Sequence, residues 1–422
     1  MSSISELRTN TLESGSATEN ERFHSLDAVR AFALLLGVVF HAAESFTRGA
    51  ASYWAIADRS PSEFLEVFRH ACHSFRLELF FLIAGFFAHL LYHRRGAREF
   101  IRNRIGRILV PLVVGWVVLF PLLAYIWLLG ASVSGRLVQF GVPAEFANTS
   151  PSILTVGFFA SGQFVQRFDL THLWFLHQLL VLYVLLLSVR FAWHRLLNRS
   201  RAWMRKVDRI VAALWASPWS TLWLAAVSTP ILMLMDSWDV DTPKASLVPH
   251  LPTTLLFGFQ FGLGWLLHRQ PALLECFARK WLSNLVLGVL MVLTTTRGVD
   301  GLRELGWASP DAPWIRWTYS GLYSLMMWGF VQGFIGWFVK YCRNPSARWR
   351  YVADSSYWIY LAHLPLVVWL QVLVGRWPLH WTLKFPLVVA VATPILFLSY
   401  HYLVRSTFIG AQLNGRRHPW RS

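Results

Sequence analysis

Apolar positions along this chain do not alternate with polar ones. They gather into blocks of 16 to 29 residues separated by polar turns. A helix needs about 20 mostly apolar residues to cross the hydrocarbon layer of a bilayer. Ten blocks are read as spans: 28–46, 64–92, 106–130, 172–192, 219–236, 250–268, 281–296, 316–340, 354–375 and 384–405. The pattern predicts an all-α, polytopic integral membrane protein. An eleventh apolar stretch, "SILTVGFFASGQFV" at 152–165, is short and broken by glycine. It is read as a re-entrant or interfacial piece.

Charge orients the spans. With ten spans and the N-terminus inside, 26 of the 39 Lys and Arg fall in segments facing the cytoplasm and 10 in segments facing outward. Cytoplasmic loops carry this excess in membrane proteins. Both termini are therefore expected in the cytoplasm. An eleventh span would expose "HRLLNRSRAWMRKVDR" on the outside, against the same rule. Residues 1–21 are polar and lack an apolar signal core, so they are expected to be a disordered cytoplasmic tail. Residues 22–405 then form the membrane domain and 406–422 a basic cytoplasmic tail. No soluble domain or internal repeat is read.

Composition agrees: 55% of residues are hydrophobic and 14% charged, and there are 23 Trp, residues that favour the membrane–water interface. The net charge of +17 raises nucleic acid as a partner. Its placement between apolar blocks excludes that reading in favour of membrane lipids. Three Cys are scattered without metal or disulfide spacing, and no metal site is read.

Ionisable residues inside apolar spans are costly and mark function by default. "RAFALLLGVVFH" begins with Arg30 and ends with His41. Eleven residues turn a helix about 20° beyond three full turns, so the two share a face about 16 Å apart along the axis. Leu34 and Gly37 lie on that face, where Gly37 permits close approach. Glu44, three residues on, is placed to orient the His41 imidazole. In the second span Arg69, His73 and Arg76 form one face at the depth of His41, with Glu78 available to neutralise Arg76. Arg104 and Arg107 make an R-x-x-R pair at the cytoplasmic end of the third span, suited to phosphate through bidentate guanidinium donors. His363 lies near mid-membrane in "DSSYWIYLAHLPL", where Asp354, Ser355 or Ser356 is expected to cap the helix. His172 and Trp174 enter the fourth span from outside. Each has a plainer reading: a snorkelling Arg, a histidine satisfied by a neighbouring helix, an interfacial Trp, or basic residues holding anionic lipid. Together they suggest a phosphate-bearing donor anchored inside and an acceptor entering from outside.

The strings "SLDAVRAFALLLGVVFH", "FFLIAGFF", "FIRNRIGRILVP", "HLWFL" and "SSYWIYLAHLPL" resemble the ordered motifs of the acyltransferase 3 family of membrane acyltransferases. The match covers about residues 25–366. "HSFRLELFFLIAGFF" is closest to the branch that succinylates periplasmic glucans. The resemblance implies a ten-helix core and an acyl-CoA donor, succinyl-CoA or acetyl-CoA. It places the family's R-x10-H on Arg30 and His41 and its R-x-x-R on Arg104 and Arg107. One departure is Ala84, where many members carry Ser. No appended esterase domain is read. The expected enzyme is a bacterial inner-membrane O-acyltransferase, with His41 as general base assisted by Glu44. Arg30, Arg104 and Arg107 would hold acyl-CoA. Arg69 or Arg76 would meet a succinyl carboxylate, and His73, His172, Trp174 and His363 would line the substrate site. The acceptor is expected to be a periplasmic glucan or a related glycan. An alternative is O-acetylation of lipopolysaccharide, exopolysaccharide or a small molecule. A second alternative is a flippase for an anionic glycolipid, which predicts transport without transfer. A homodimer is among the expected partners.

Overall fold

The computed structural model describes residues 23–196, 201–298 and 313–415. The expected N-terminal tail lies outside these residues. All regular structure among them is helical, and each of the ten expected spans is occupied by helix. The main helices are α1 (His24–Glu44), α2 (Glu63–Arg104), α3 (Val110–Val133), α4 (Pro151–Ala160), α5 (Trp174–Leu196), α6 (Arg201–Ala216) and α7 (Ser220–Leu232). They continue as α8 (Leu251–Leu267), α9 (Leu274–Leu293), α10 (Pro313–Tyr341), α11 (Ala347–Val374), α12 (Trp381–Ser399) and α13 (Phe408–Asn414).

By length and composition, seven helical units among the described residues suffice to cross a membrane, or up to eight if the bent pair α6–α7 is one span. One unit, Glu63–Val133, carries two of the expected spans. Gly96 breaks it with φ 75°, a conformation that only glycine adopts without strain. Two expected spans are short: α7 has 13 residues and α8 has 17. At 1.5 Å per residue α7 reaches only about 20 Å. Its polar positions serve packing instead. Thr221 donates to Asn284 at 2.9 Å, Ser220 to Gln332 at 3.1 Å, and Trp328 donates its Nε1–H to Ser228 at 2.9 Å. Such bonds join helices where apolar burial gives no drive to associate.

α1 occupies the centre, against α2, α10, α11 and α12. Its buried positions are mostly small (Ala28, Ala31, Ala33, Gly37, Ala42 and Ala43), which lets four neighbours approach.

One local expectation is corrected. Asp354, Ser355 and Ser356 do not cap the ninth span. α11 begins at Ala347, where Ser346 accepts the Trp349 N–H at 3.3 Å. Ser355 and Ser356 sit mid-helix and donate to the carbonyls of Val352 and Ala353. Within the tail, α13 docks under the R-x-x-R turn.

Candidate active site

The polar residues of the spans surround two chambers. The first, about 400 Å³, is lined by His41, Glu44, Arg69, His73, Arg76, His172, Trp174 and His363. The second, about 500 Å³, is lined by Arg30, Arg104 and Arg107. Leu34, Phe80, Phe175 and Tyr360 line both and form the constriction between them. Phe80 and Phe175 meet edge to face, 4.5 Å between centroids. Every site residue expected from the sequence therefore faces one chamber or the other, in two groups.

In the first chamber His41 lies one turn before the end of α1. Its ring is parallel to Trp54 at 5.8 Å and 5.2 Å from the ring of His363. The buried Nδ1 of His41 has no hydrogen-bond partner. The last carbonyls of a helix lack partners within it. Here Gln371 supplies them, donating to the carbonyls of His41 at 2.8 Å and Ala42 at 3.0 Å. The same amide accepts the Trp54 Nε1–H at 2.8 Å. One side chain thus fixes both the backbone under His41 and the ring beside it. The turn carrying Trp54 is itself clamped. Arg136 donates to the carbonyls of Ala51, Trp54 and Ala55, and the fully buried Lys384 pairs with Asp58 at 2.5 Å.

Glu44 is buried and accepts the Tyr53 hydroxyl at 2.6 Å. Its bond is to Tyr53 rather than to the imidazole it was expected to orient. His363 and His172 are instead set by main chain. A carbonyl can only accept, so its partner nitrogen is assigned the proton. His363 Nδ1–H donates to the Tyr360 carbonyl at 2.7 Å, leaving an unpartnered, buried Nε2. His172 Nε2–H donates to the Leu361 carbonyl at 3.1 Å.

Arg76 lies over the Phe40 ring at 4.3 Å. A Cβ on Gly37 would stand 2.8 Å from Arg76 Nη1 and 3.7 Å from His363 Nε2, so the missing side chain admits the guanidinium. Glu78 does not neutralise Arg76. Two residues apart on a helix they point to opposite sides, and both carboxylate oxygens of the buried Glu78 lack partners. The buried Nε atoms of Arg69 and Arg76 are also unpartnered. His73 Nδ1 is 3.5 Å from the Tyr323 hydroxyl.

In the second chamber Arg107 sits on a π-helical turn, Ile105–Leu109, a distortion frequent at functional sites, and Arg104 is the residue just before it. Arg104 donates to the Tyr183 hydroxyl at 3.2 Å and keeps a buried, unpartnered Nε. Arg107 spends two donors on the Leu413 carbonyl of α13, at 3.0 and 2.5 Å. Arg30 pairs with Asp27 at 3.3 Å.

Several lining residues escaped sequence reading: Tyr53, Trp54, Lys244 and Tyr360 in the first chamber, Arg94, Arg95, Tyr183 and Tyr357 in the second. Gln371 is 317 positions from Trp54, and no sequence spacing announces that contact. Among the described residues, Asp236, Asp241 and His250 bring ligand atoms within 4.8 Å of one another. Asp241 already accepts the N–H groups of Asp236 and Ser237, so the cluster closes its own loop.

Comparison with known proteins adds the family. Two relatives are the glucans biosynthesis protein C of Escherichia coli O1:K1 and that of Escherichia coli O139:H28. Each is 31% identical over 93 residues, 22% of this chain and 23% of the relative. The match spans about a quarter of their length. No solved structure matches. The profile described as an acyltransferase domain matches residues 23–401, nearly the whole chain and all of the two chambers' lining but Leu413 and Asn414, and the chain therefore belongs to the acyltransferase 3 family of membrane acyltransferases.

Proposed function

We propose that the enzyme moves an acyl group from acyl-CoA, held in the Arg104 chamber, to a glycan hydroxyl in the His41 chamber. The observation that carries this reading is the constriction shared by two chambers of opposite chemistry. One end offers guanidinium donors suited to phosphates. The other offers imidazole nitrogens without partners. The pantetheine arm of the donor would pass between Phe80, Phe175 and Tyr360 and bring its thioester to His41.

In the reaction, His41 takes the proton of the acceptor hydroxyl. The hydroxyl oxygen attacks the thioester carbonyl, the carbon–sulfur bond breaks, and an ester forms. The leaving thiolate takes up a proton to give free CoA. An acyl-histidine relay through His41 is the less favoured variant. His363 and His172, with tautomers set by main chain, hold the acceptor beside His41. Glu44 acts through Tyr53.

The finer reading is succinyl transfer to a periplasmic glucan in a bacterial inner membrane, with both termini in the cytoplasm. The name of the relatives supports the glucan. Arg69 and Arg76, beside His41 with unpartnered nitrogens, suit the free carboxylate of a succinyl group. An acetyl donor with another glycan or small-molecule acceptor is the alternative that donor competition separates. The purified enzyme is given periplasmic glucan and equal labelled acetyl-CoA and succinyl-CoA, and the glucan is weighed by mass spectrometry. The reading expects succinyl gain in the wild type and a preference reduced at least fivefold in Arg76→Gln. An unchanged preference in that variant overturns the carboxylate assignment.

A further inference from the structure

A groove of about 520 Å³ runs between α3 and α4, beside the His41 chamber. On α3 it is lined by Phe120, Ala124, Trp127 and Leu128, at i, i+4, i+7 and i+8 on one face. Ile153 and Leu154 of α4 line the opposite wall. Phe120, Ala124 and Trp127 also line the His41 chamber, so the two spaces adjoin across these three side chains. The connection is close to the chemistry, because the ring of Trp127 is 5.2 Å from that of Trp54, which lies parallel to His41.

The depth of the groove is set by its helices. Phe120 lies 13 residues before the end of α3, about 20 Å at the helical rise. Phe158 and Phe159, near the end of α4, pack against it at 6.3 and 5.7 Å. α4 therefore dips to about the middle of the α3 span. Ile153 and Val156 of α4 are 64% and 68% exposed, an apolar surface suited to hydrocarbon. Polar lining residues come only from the ends of α4 and the turn after it: Thr149, Ser161, Gln163 and Arg167. The Arg167 guanidinium is already held by the carbonyls of Phe140 and Gly141.

We propose that this groove seats the hydrocarbon tail of a lipid-anchored glycan acceptor whose hydroxyl-bearing head enters the His41 chamber from the side. The proposal rests on the acyl-transfer reading and, within it, takes a glycan that carries a lipid anchor as the acceptor in place of a free periplasmic glucan. A sugar in this groove would lose water and find few polar partners, which costs free energy. A hydrocarbon tail never leaves apolar surroundings as it slides in. Lipid tails are as apolar as the groove, so seating one adds little affinity. The groove acts by registration: it fixes how far along the tail the head sits, and so which hydroxyl meets His41.

The test uses the full chain in lipid nanodiscs with acyl-CoA and two acceptors sharing one head, dodecyl β-glucoside and methyl β-glucoside. A Cβ on Gly157, which lines the groove, would meet no atom within 4 Å, so Gly157→Phe places a ring in open space. Leu154→Trp is a second obstruction, should the first fail to fold. The expected wild-type result is a kcat/KM at least tenfold higher for the dodecyl acceptor, with that ratio reduced at least fivefold in either variant. A photoreactive dodecyl glucoside reports occupancy without turnover, and is expected to label the groove in the wild type and not in Gly157→Phe. Equal kcat/KM for the two acceptors overturns the proposal, as does a tail preference that both obstructions leave intact. Labelling that phospholipid removes as well as dodecyl glucoside also overturns it, since the groove is then an ordinary lipid seam. Head-dependent labelling with no acyl transfer from any donor keeps the groove assignment and sinks the transfer reading.

Discussion

Gln371 is where a single side chain has the widest reach in the site. It satisfies two carbonyls at the end of α1 and receives the Trp54 indole. Buried polar groups left without partners cost about 1–3 kcal/mol. Gln371→Leu removes three such bonds at once and frees the Trp54 ring. The expected outcome is a kcat lowered about tenfold with the KM for acyl-CoA unchanged, because the second chamber does not touch Gln371. A rise in that KM with kcat intact would contradict the assignment. Arg104 carries the opposite expectation. Arg104→Ala should raise the KM for acyl-CoA at least tenfold, about 1.4 kcal/mol of binding, and leave kcat near wild type. Steady-state kinetics at varied acyl-CoA reads both. At this scale the sequence was informative about identity: Arg30, His41, Arg69, His73, Arg76, Arg104, Arg107, His172, Trp174 and His363 all line a chamber. Polarity inside an apolar block was the signal. It said little about partners. Glu44 bonds Tyr53, Arg107 is largely spent on Leu413, and Glu78 faces away from Arg76.

Close approach between elements decides what the chambers hold. Gly37 lets the Arg76 guanidinium lie against α1. A methyl there would displace the tip of a flexible side chain rather than backbone, so the fold should tolerate Gly37→Ala. The expected result is normal expression and a donor preference shifted at least threefold toward acetyl-CoA. Loss of folding instead, by size-exclusion chromatography, would make Gly37 a packing residue alone. Spans were legible because apolar length has a physical threshold. Their ends were not. α11 starts two turns before its apolar run, α2 continues past Tyr92 to a kink at Gly96, and α13 forms within the expected tail. Arg348 and Arg350 in the first extension and the basic residues of 94–104 in the second interrupt the apolar signal, and α13 is held by the bonds of Leu413 and Gln412 to the R-x-x-R turn. α6 was read as a cytoplasmic loop because its Arg and Lys were counted as charge. Val207, Val211 and Trp215 recur at helical spacing and mark an amphipathic helix bent 111° from α7.

Across the whole molecule, the account needs the Arg104 chamber to face the compartment that holds acyl-CoA and the His41 chamber to face the other side. The excess of basic residues is the ground for expecting the Arg104 end inside. Membrane-impermeant maleimide tests this in a background lacking Cys72, Cys276 and Cys342. Glu145→Cys should be labelled from outside in intact cells, and Arg348→Cys only after lysis. The reverse pattern would invert the proposed direction of transfer. The two chambers were legible as depths in the sequence, because Arg30 and His41 share one face of α1. The constriction was not, since Phe80, Phe175 and Tyr360 are ordinary apolar-block residues until three helices bring them together.

The measurement that tests the central claim most directly is acyl gain on the acceptor by wild type and His41→Ala side by side, with acyl-CoA binding measured on both. The account predicts one acyl mass added by the wild type, at least a hundredfold loss of that gain in His41→Ala, and unchanged acyl-CoA affinity. A His41→Ala protein that folds, binds acyl-CoA and transfers at the normal rate would contradict it.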